Sequence, residues 1–302
     1  MLMRASAIDL RSPFGQLRDR INAIPILDAG SGLTLFLVVV FGFDAWWAKV
    51  VGYSAFLLFL LQPSAIRTWA FWAAIAGAST LGLLADWYGA DNHKYLLAYW
   101  LWVMVLAHAV KPRDFGETLL VTNARFFAVF IFLGAALQKF FSPTYMSGEM
   151  FETLLLLDER FRAFAALAGI DLILPDAAGK AVTLLKSPMA VVENNELIFP
   201  SSDRVNFVAR LITWSDIYVQ AAIGLFFLPN RRMTDIFGHA FLLFFIFTTY
   251  LPAPVFGFGW TLAIVGFILA RSRFQNLPIL YLAAFLAILL YQAPWRERVI
   301  GA

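Results

Sequence analysis

A histidine and a lysine each lie at the boundary of an apolar segment, where a side chain can be held away from bulk water. His93 precedes one apolar segment, and Lys139 falls at the end of a later one. An even number of membrane crossings between them returns the chain to the surface it left, so the two side chains are predicted to meet there. A lysine held neutral at that surface could act as a base, and a histidine could carry a proton. The alternative is that Lys139 reaches the headgroups as a charged side chain and His93 is an ordinary interfacial residue.

Two further charged residues, Arg125 and Asp216, fall well inside apolar segments. A charge at that depth is costly unless it has a partner, so we interpret the two residues as a structural buried pair. His239 is one helical turn from Asp235 and shares its face. The three histidines fall at different depths and no carboxylate cluster accompanies them, so no metal site is predicted.

The composition is that of a membrane protein. The chain is 61% hydrophobic and 17% aromatic, only 14% of its residues are charged, and its mean hydropathy is +0.74, whereas soluble proteins carry about 25% charged residues. The apolar runs are continuous instead of alternating, which favours helices over a β-barrel. The formal net charge of +3 is small and scattered, so no nucleic acid is expected, and the lack of cysteine excludes disulfides and thiol chemistry.

These runs predict an all-α fold, a polytopic helical bundle of about eight or nine transmembrane helices with one long outer loop. Residues 33–61 are either one tilted helix or two short helices, because Asp44 and Lys49 interrupt the run beside a tryptophan pair. The bias of Lys and Arg favours two helices, nine crossings, a cytoplasmic N-terminus and an outer C-terminus. We expect a bacterial inner membrane. The clear segments are 68–84, 94–110, 119–141, 208–228, 234–251, 255–270 and 277–292.

The predicted domain organisation is one membrane domain with one insertion. Residues 1–30 are interpreted as a basic interfacial arm, and residues 31–302 as the membrane domain. Residues 142–206 form the outer loop, which is too long for a simple connection. Two pieces of this loop, 151–157 and 161–167, have the pattern of amphipathic helices lying on a membrane surface.

Three motifs in order resemble a known family. The run Asn92-His93-Lys94-Tyr95-Leu96 resembles the Asn-His-x-Tyr-Leu signature of the HTTM family, the vitamin K-dependent carboxylase-like membrane domains. The run from Phe132 to Lys139, followed by Ser147-Gly148, is similar to the family's Phe-x-Ala-Gly-x-x-Lys segment and the glycine that follows it. Arg231-Arg232 and Gly238-His239 are similar to its later Arg and Gly-x-x-x-His stretch. The resemblance covers roughly residues 30–270.

The sequence also departs from the family pattern. Pro143-Thr144-Tyr145 occupies the segment in which the family usually has a tryptophan, and Phe36-Leu37 stands where a first-helix arginine is often found. The chain ends at Ala302, soon after the last apolar segment, so the large extramembrane C-terminal domain of the carboxylases is not expected.

The resemblance implies roles for individual residues and a cofactor. It implies a reduced, vitamin K-like quinone, with Lys139 as the base that deprotonates it and His93 assisting at the same site. The residues assigned to the substrate or quinone pocket are Asn92, Tyr95, Tyr145 and His239.

Two hypotheses about function follow. The first is an enzyme of the oxygenase or carboxylase type that depends on a reduced quinone. The second is a non-catalytic structural or accessory subunit, or an assembly factor, of a larger membrane complex. Membrane lipids are expected partners in both hypotheses and other integral membrane subunits in the second, and both remain open at the level of sequence.

Overall fold

The structure is a computed structural model, and its described residues are 13–43, 45–87, 92–158, 161–170, 202–250 and 257–292. They form helices and connecting turns with no strand among them, which confirms the all-α prediction for this part of the chain. A 3-10 turn, Pro63–Arg67, lies between α3 and α4, and a π-helical segment, Ile246–Tyr250, continues α11. The α-helices are α1 (Pro13–Ala23), α2 (Ile26–Phe41), α3 (Trp46–Leu61), α4 (Trp69–Ala85), α5 (Asn92–Ala109), α6 (Arg113–Phe140), α7 (Pro143–Met146), α8 (Glu149–Leu157), α9 (Arg162–Leu167), α10 (Asp203–Phe227), α11 (Arg232–Phe245), α12 (Phe258–Arg271) and α13 (Leu277–Gln292).

Each clear apolar segment contains a helix, and capping residues set several of the boundaries. The hydroxyl of Thr68 accepts the N–H of Phe71 at 3.4 Å and starts α4, and that of Ser202 accepts the N–H of Val205 at 3.3 Å and starts α10. The amphipathic pieces predicted in the outer loop correspond to α8 and α9. Parts of three predicted regions, namely 1–12 of the arm, 171–201 of the loop and 293–302 at the C-terminus, lie outside the described residues.

The segment 33–61 forms two helices, as the two-helix interpretation predicts. Helix α2 ends at Phe41 and α3 begins at Trp46. Helix α2 also begins earlier than the apolar run, at Ile26, because Pro25 stops the preceding helix and the first helical turn tolerates the polar residue Asp28. The last residues of the predicted N-terminal arm are therefore the first turn of α2.

The chain is organised as two compact units, and each contains chain segments that are distant in sequence. The first comprises Met1–Arg125 and Phe256–Leu286, and the second comprises Phe126–Val255 and Ala287–Ala302. Helix α6 contributes its first half to the first unit and its second half to the second.

The first unit is packed around large aromatic side chains whose polar atoms are satisfied. Three tryptophans with at most 1% exposure each donate their indole N–H to an oxygen within the unit. The indole N–H is the one polar group of a tryptophan, and it needs a hydrogen-bond acceptor when the side chain is buried. The pairs are Trp72 to the carbonyl of Ile66 at 2.8 Å, Trp100 to the hydroxyl of Thr34 at 3.0 Å and Trp260 to the carbonyl of Phe285 at 3.1 Å.

Helices α12 and α13 approach closely in the first unit because one position is glycine. A Cβ atom at Gly266 would lie 2.1 Å from the ring of Tyr281, which is itself fully buried. The aromatic ring therefore fills the space that any side chain at this position would need.

The second unit has a similar close approach and a separate small core. A Cβ at Gly224 would lie 2.5 Å from Leu133, so α6 and α10 meet at this glycine. Helices α8, α9 and α10 bury a second cluster against one another, whose members are Phe151, Leu155, Leu156, Ala165, Ile170, Val205 and Ala209. The pieces of the outer loop that follow α7 thus pack on α10 as well as on each other.

Among the described residues, two helices are long and apolar enough to cross a membrane, Arg113–Phe140 and the continuous Arg232–Tyr250. A third crossing is possible if α1 and α2, which are bent by 97° at their junction, are counted as one span. The shorter apolar helices α3, α4, α12 and α13 have 14 to 17 residues. At 1.5 Å per residue they rise about 21–26 Å, which is less than a hydrocarbon core of about 30 Å.

Candidate functional site

The end of α6 and the start of α7 bring a lysine and a tyrosine together in the second unit. Lys139 lies in the last turn of α6. Ser142 caps α7 through its hydroxyl, which accepts the N–H of Tyr145 at 3.4 Å, and Pro143 occupies the first helical position, where a missing N–H costs nothing. The cap fixes where α7 begins, and the ammonium nitrogen of Lys139 lies 5.0 Å from the centre of the Tyr145 ring.

Both residues bind one carboxylate in the middle of α10. Lys139 donates to Oδ2 of Asp216 in an ion pair, and the hydroxyl of Tyr145 donates to the same oxygen at 2.9 Å. The side-chain amide of Gln220, one turn further along α10, donates to Oδ1 at 2.9 Å. Three donors from three helices therefore converge on the carboxylate of Asp216.

The cluster is largely removed from solvent. The side chains of Lys139 and Asp216 are 21% and 14% exposed. Burial, followed by the negative charge of Asp216 and the hydrogen bond to it, raises the pKa of the Tyr145 hydroxyl well above its usual value of about 10. The phenol is consequently a hydrogen-bond donor at any physiological pH.

Some hydrogen-bonding capacity of the cluster is unused. An ammonium group has three N–H donors, and the described contacts of Lys139 use one of them in a hydrogen bond. Within the described part of the chain, the buried Oε1 of Gln220 and Oγ1 of Thr213 have no hydrogen-bond partner. Buried polar atoms are nearly always paired, so each such atom requires an explanation. Together these groups offer N–H donors and oxygen acceptors to a polar group bound beside Asp216.

Three of the residues singled out from the sequence, Lys139, Tyr145 and Asp216, are thus in contact. Asp216 pairs with Lys139, whereas the sequence assigned it to Arg125. Arg125 is the last residue of the first unit's N-terminal segment, and Asp216 lies in the second unit. The pair formed by Arg125 and Asp216 stays a prediction. Tyr145, expected to line a pocket, is part of the Lys139 cluster.

Three other predicted site residues are described by their contacts within their own unit. His93, Asn92 and Tyr95 belong to the first unit, so their placement beside Lys139 stays a prediction. Asn92 is the first residue of α5, and the His93 ring lies 6.4 Å from that of Phe258. The Tyr95 hydroxyl donates to the carbonyl of Trp87 at 2.9 Å.

His239 lies in the second unit and is almost fully buried. Its ring is 1% exposed and packs edge-on against that of Phe227, with 5.0 Å between the ring centres. Asp235, one turn before it, is also 1% exposed. The two residues share a buried face of α11, as their spacing indicates.

A cavity of about 350 Å³ lies in the first unit, between the end of α2, the start of α3 and the facing ends of α4 and α5. Its walls are mostly apolar, with polar groups from Ser79, Asp86 and Lys94. The volume is within the range of small-molecule sites, which begins at about 300 Å³. Lys94 follows His93 in the chain, and neither His93 nor Lys139 is among the residues that line the cavity.

Sequence reasoning missed Gln220 and Thr213 as parts of the site. Both residues could have been found from their spacing, because residues three and four positions from Asp216 lie on the same face of its helix. Thr213, Asp216 and Gln220 form a polar stripe on an otherwise apolar segment of α10.

The fold and the cluster define a class: a protein whose described residues are helical, with apolar helices of membrane-crossing length and a partly buried lysine–aspartate pair in one of its units. No family model, no curated protein and no solved structure matches the chain.

Proposed function

We propose that this chain is a polytopic membrane protein of the HTTM type that binds a reduced quinone, or a related lipid, beside Lys139. In this proposal Lys139 serves as the base of a reaction of the oxygenase or carboxylase type. The observation that carries the proposal is the polar cluster on α6, α7 and α10, which has hydrogen-bonding groups to spare in apolar surroundings.

The chemistry of the cluster suits a hydroquinone. A hydroquinone hydroxyl is both a donor and an acceptor, so it can receive an N–H from Lys139 and donate to Oε1 of Gln220. Lys139 accepts a proton only when it is neutral, and a carboxylate favours the charged form of a neighbouring ammonium. The form of Lys139 that acts as the base in this proposal is the neutral amine, which takes the proton of the bound hydroxyl and becomes the ammonium that pairs with Asp216. Tyr145 keeps its own proton and holds Asp216 in place.

The proposed topology has nine crossings, with the N-terminus in the cytoplasm and the outer loop and C-terminus outside, in a bacterial inner membrane. The helices that are too short for a full bilayer cross it where flanking residues reach the interface or the bilayer is thinner. In this arrangement Lys139 and His93 are at the outer surface.

The test uses the purified full chain in lipid nanodiscs, with bound lipids extracted and identified by mass spectrometry. We expect a bound quinone in the native protein. A Lys139→Met variant should bind a reduced short-chain naphthoquinone roughly 10- to 100-fold more weakly, because a hydrogen bond to a charged group contributes about 1.5–3 kcal/mol. Lys139→Arg should keep binding and lose turnover, since an arginine does not give up its proton.

The matched control is Lys49→Arg, which changes an exposed lysine at the start of α3 in the other unit. It should leave binding and turnover unchanged. A Lys139→Arg protein with full biological function would remove Lys139 as a base.

A second function, a non-catalytic subunit or assembly factor of a membrane complex, is favoured by one observation. The charge of Lys139 is already compensated by Asp216, and an ion pair of this kind holds α6 against α10 without any ligand. In this case the native protein purifies with stoichiometric partner subunits and without quinone, and Lys139→Arg leaves assembly intact.

A further inference from the structure

A second cluster of charges, in the first unit, consists of two arginines on one carboxylate. Asp28, in the first turn of α2, accepts from Nε of Arg67 at 3.2 Å and from Nη2 of the same residue at 3.0 Å. Arg113, the first residue of α6, pairs with Oδ1 of Asp28. The carboxylate is 14% exposed, whereas the arginines are 58% and 41% exposed. The cluster thus carries a net positive charge, and its guanidinium groups face outward.

The two guanidinium groups are held in place before any ligand binds. Arg67 ends a 3-10 turn that is held by a hydrogen bond, since the indole N–H of Trp72 donates to the carbonyl of Ile66 in that turn. The ring of His108 stacks on Trp72, with 6.0 Å between the ring centres, and hydrogen-bonds to Ser31 on α2 at 2.9 Å. Groups that are already ordered lose less entropy on binding, so this arrangement favours affinity.

The helix that precedes Asp28 lies across the direction of α2. Helix α1 meets α2 at 97°, and Arg271 of α12 holds the junction by donating to the carbonyls of Asn22 and Ile24 at 3.0 and 2.8 Å. Leu17 on α1 is 50% exposed and the Ile24 side chain is 46% exposed. A helix that lies across the apolar helix it joins and presents apolar side chains is typical of the membrane interface, where lipid headgroups lie.

We propose that Arg67 and Arg113 bind the phosphodiester of an anionic glycerophospholipid, whose acyl chains lie beside Leu17 and Ile24. Guanidinium groups match the geometry of phosphate oxygens, and the N–H groups that Asp28 does not use remain available. Basic sites between helices at the cytoplasmic face are suited to anionic headgroups, and the exposed apolar side chains favour a lipid over a free phosphate. The site does not involve Lys139 and is independent of the function proposed for it.

The experiment measures binding of dansyl-labelled phosphatidylglycerol to the full chain in a neutral detergent, by energy transfer from tryptophan. Trp69 is 55% exposed and lies two residues from Arg67, so it is a natural donor. We expect the Arg67→Gln/Arg113→Gln variant to bind roughly 30-fold more weakly, since each cation near an anionic headgroup contributes about a fivefold factor. Dansyl-labelled phosphatidylcholine should bind weakly to both proteins.

The matched control removes two other cations from the same predicted side of the membrane. Arg231→Gln/Arg232→Gln changes two exposed residues of the second unit and should alter binding less than twofold. An equal loss in both double variants would show non-specific charge attraction and overturn the proposal, as would competition by millimolar inorganic phosphate.

Removing both arginines leaves Asp28 without a cation, which could unfold the protein, so a third variant tests the site with both arginines present. Asp28→Asn removes the competing negative charge and keeps a side-chain oxygen to which both guanidinium groups can donate, so phosphatidylglycerol should bind at least as tightly as to the native chain. Tenfold weaker binding by a folded Asp28→Asn protein would contradict the site.

Discussion

The ion pair of Lys139 and Asp216 can be tested by the free energy that couples the two side chains. Lys139→Met leaves Asp216 without its cation in the middle of α10, where the carboxylate is 14% exposed and cannot move to water. Leaving a buried charge unpaired costs about 3–5 kcal/mol. We expect about 3 kcal/mol, the lower end, because Tyr145 and Gln220 still donate to the carboxylate.

The reverse substitution should be milder. In Asp216→Asn the stranded group is Lys139, which lies in the last turn of α6 and can extend its ammonium towards water. We expect a cost of about 1.5 kcal/mol, of the size of one hydrogen bond to a charged group. The double variant removes both charges and should cost about 2.5 kcal/mol, so the coupling energy is about 2 kcal/mol, within the range for residues in contact.

The assay is unfolding of the purified protein in mixed micelles with increasing dodecyl sulfate, followed by tryptophan fluorescence. Trp214 is two residues from Asp216 and 36% exposed, so it reports locally on α10. A parallel cycle with Arg125→Met and Asp216→Asn tests the pairing predicted from sequence. A coupling energy of Lys139 with Asp216 below about 0.5 kcal/mol, or a larger one for Arg125, would refute the reasoning.

Three other predictions address packing, protonation and topology. Gly266→Ala should lower the free energy of unfolding by about 1–2 kcal/mol, because the new methyl group overlaps a buried aromatic ring. The control is Gly77→Ala, whose Cβ meets no atom within 4 Å. It should be neutral or stabilising by up to about 1 kcal/mol in the same assay. Because the pKa of Tyr145 is raised in the folded state, its stabilising contribution is complete below about pH 10 and is lost as the pH rises through the folded-state pKa. A difference titration against Tyr145→Phe at 295 nm should show a phenol that ionises only well above pH 10. Ionisation near pH 10 would contradict the buried hydrogen bond. Since the chain has no cysteine, Ser147→Cys should react with an impermeant maleimide from the outside of intact cells and Ser64→Cys only after lysis, and the reverse pattern would invert the proposed topology.

The sequence by itself predicted the helices, because their signals are local. Continuous apolar runs, the tryptophan pair that interrupts residues 33–61 and the polar residues at helix starts act within a few positions of the chain. The all-helical class and the short amphipathic helices α8 and α9 of the outer loop followed from these signals, whereas two helices within 33–61 were favoured by the bias of Lys and Arg. The number of membrane crossings did not follow with the same certainty, since several helices are shorter than a bilayer and composition does not specify how they tilt.

Only the tertiary structure decided which charged residues are partners. Depth along a helix can be counted from sequence, and it predicted Arg125 as a partner of Asp216, a pairing that stays a prediction. The contact between Lys139 and Asp216 depends on how α10 is rotated about its axis relative to the end of α6, and the start of α7 at Ser142 and Pro143 places Tyr145 beside them. The partners of Asp28 were likewise visible only in the tertiary structure: Arg67 comes from a 3-10 turn and Arg113 from the start of α6. An ion pair is decided by the geometry of both helices at once, whereas a sequence pattern describes each helix alone.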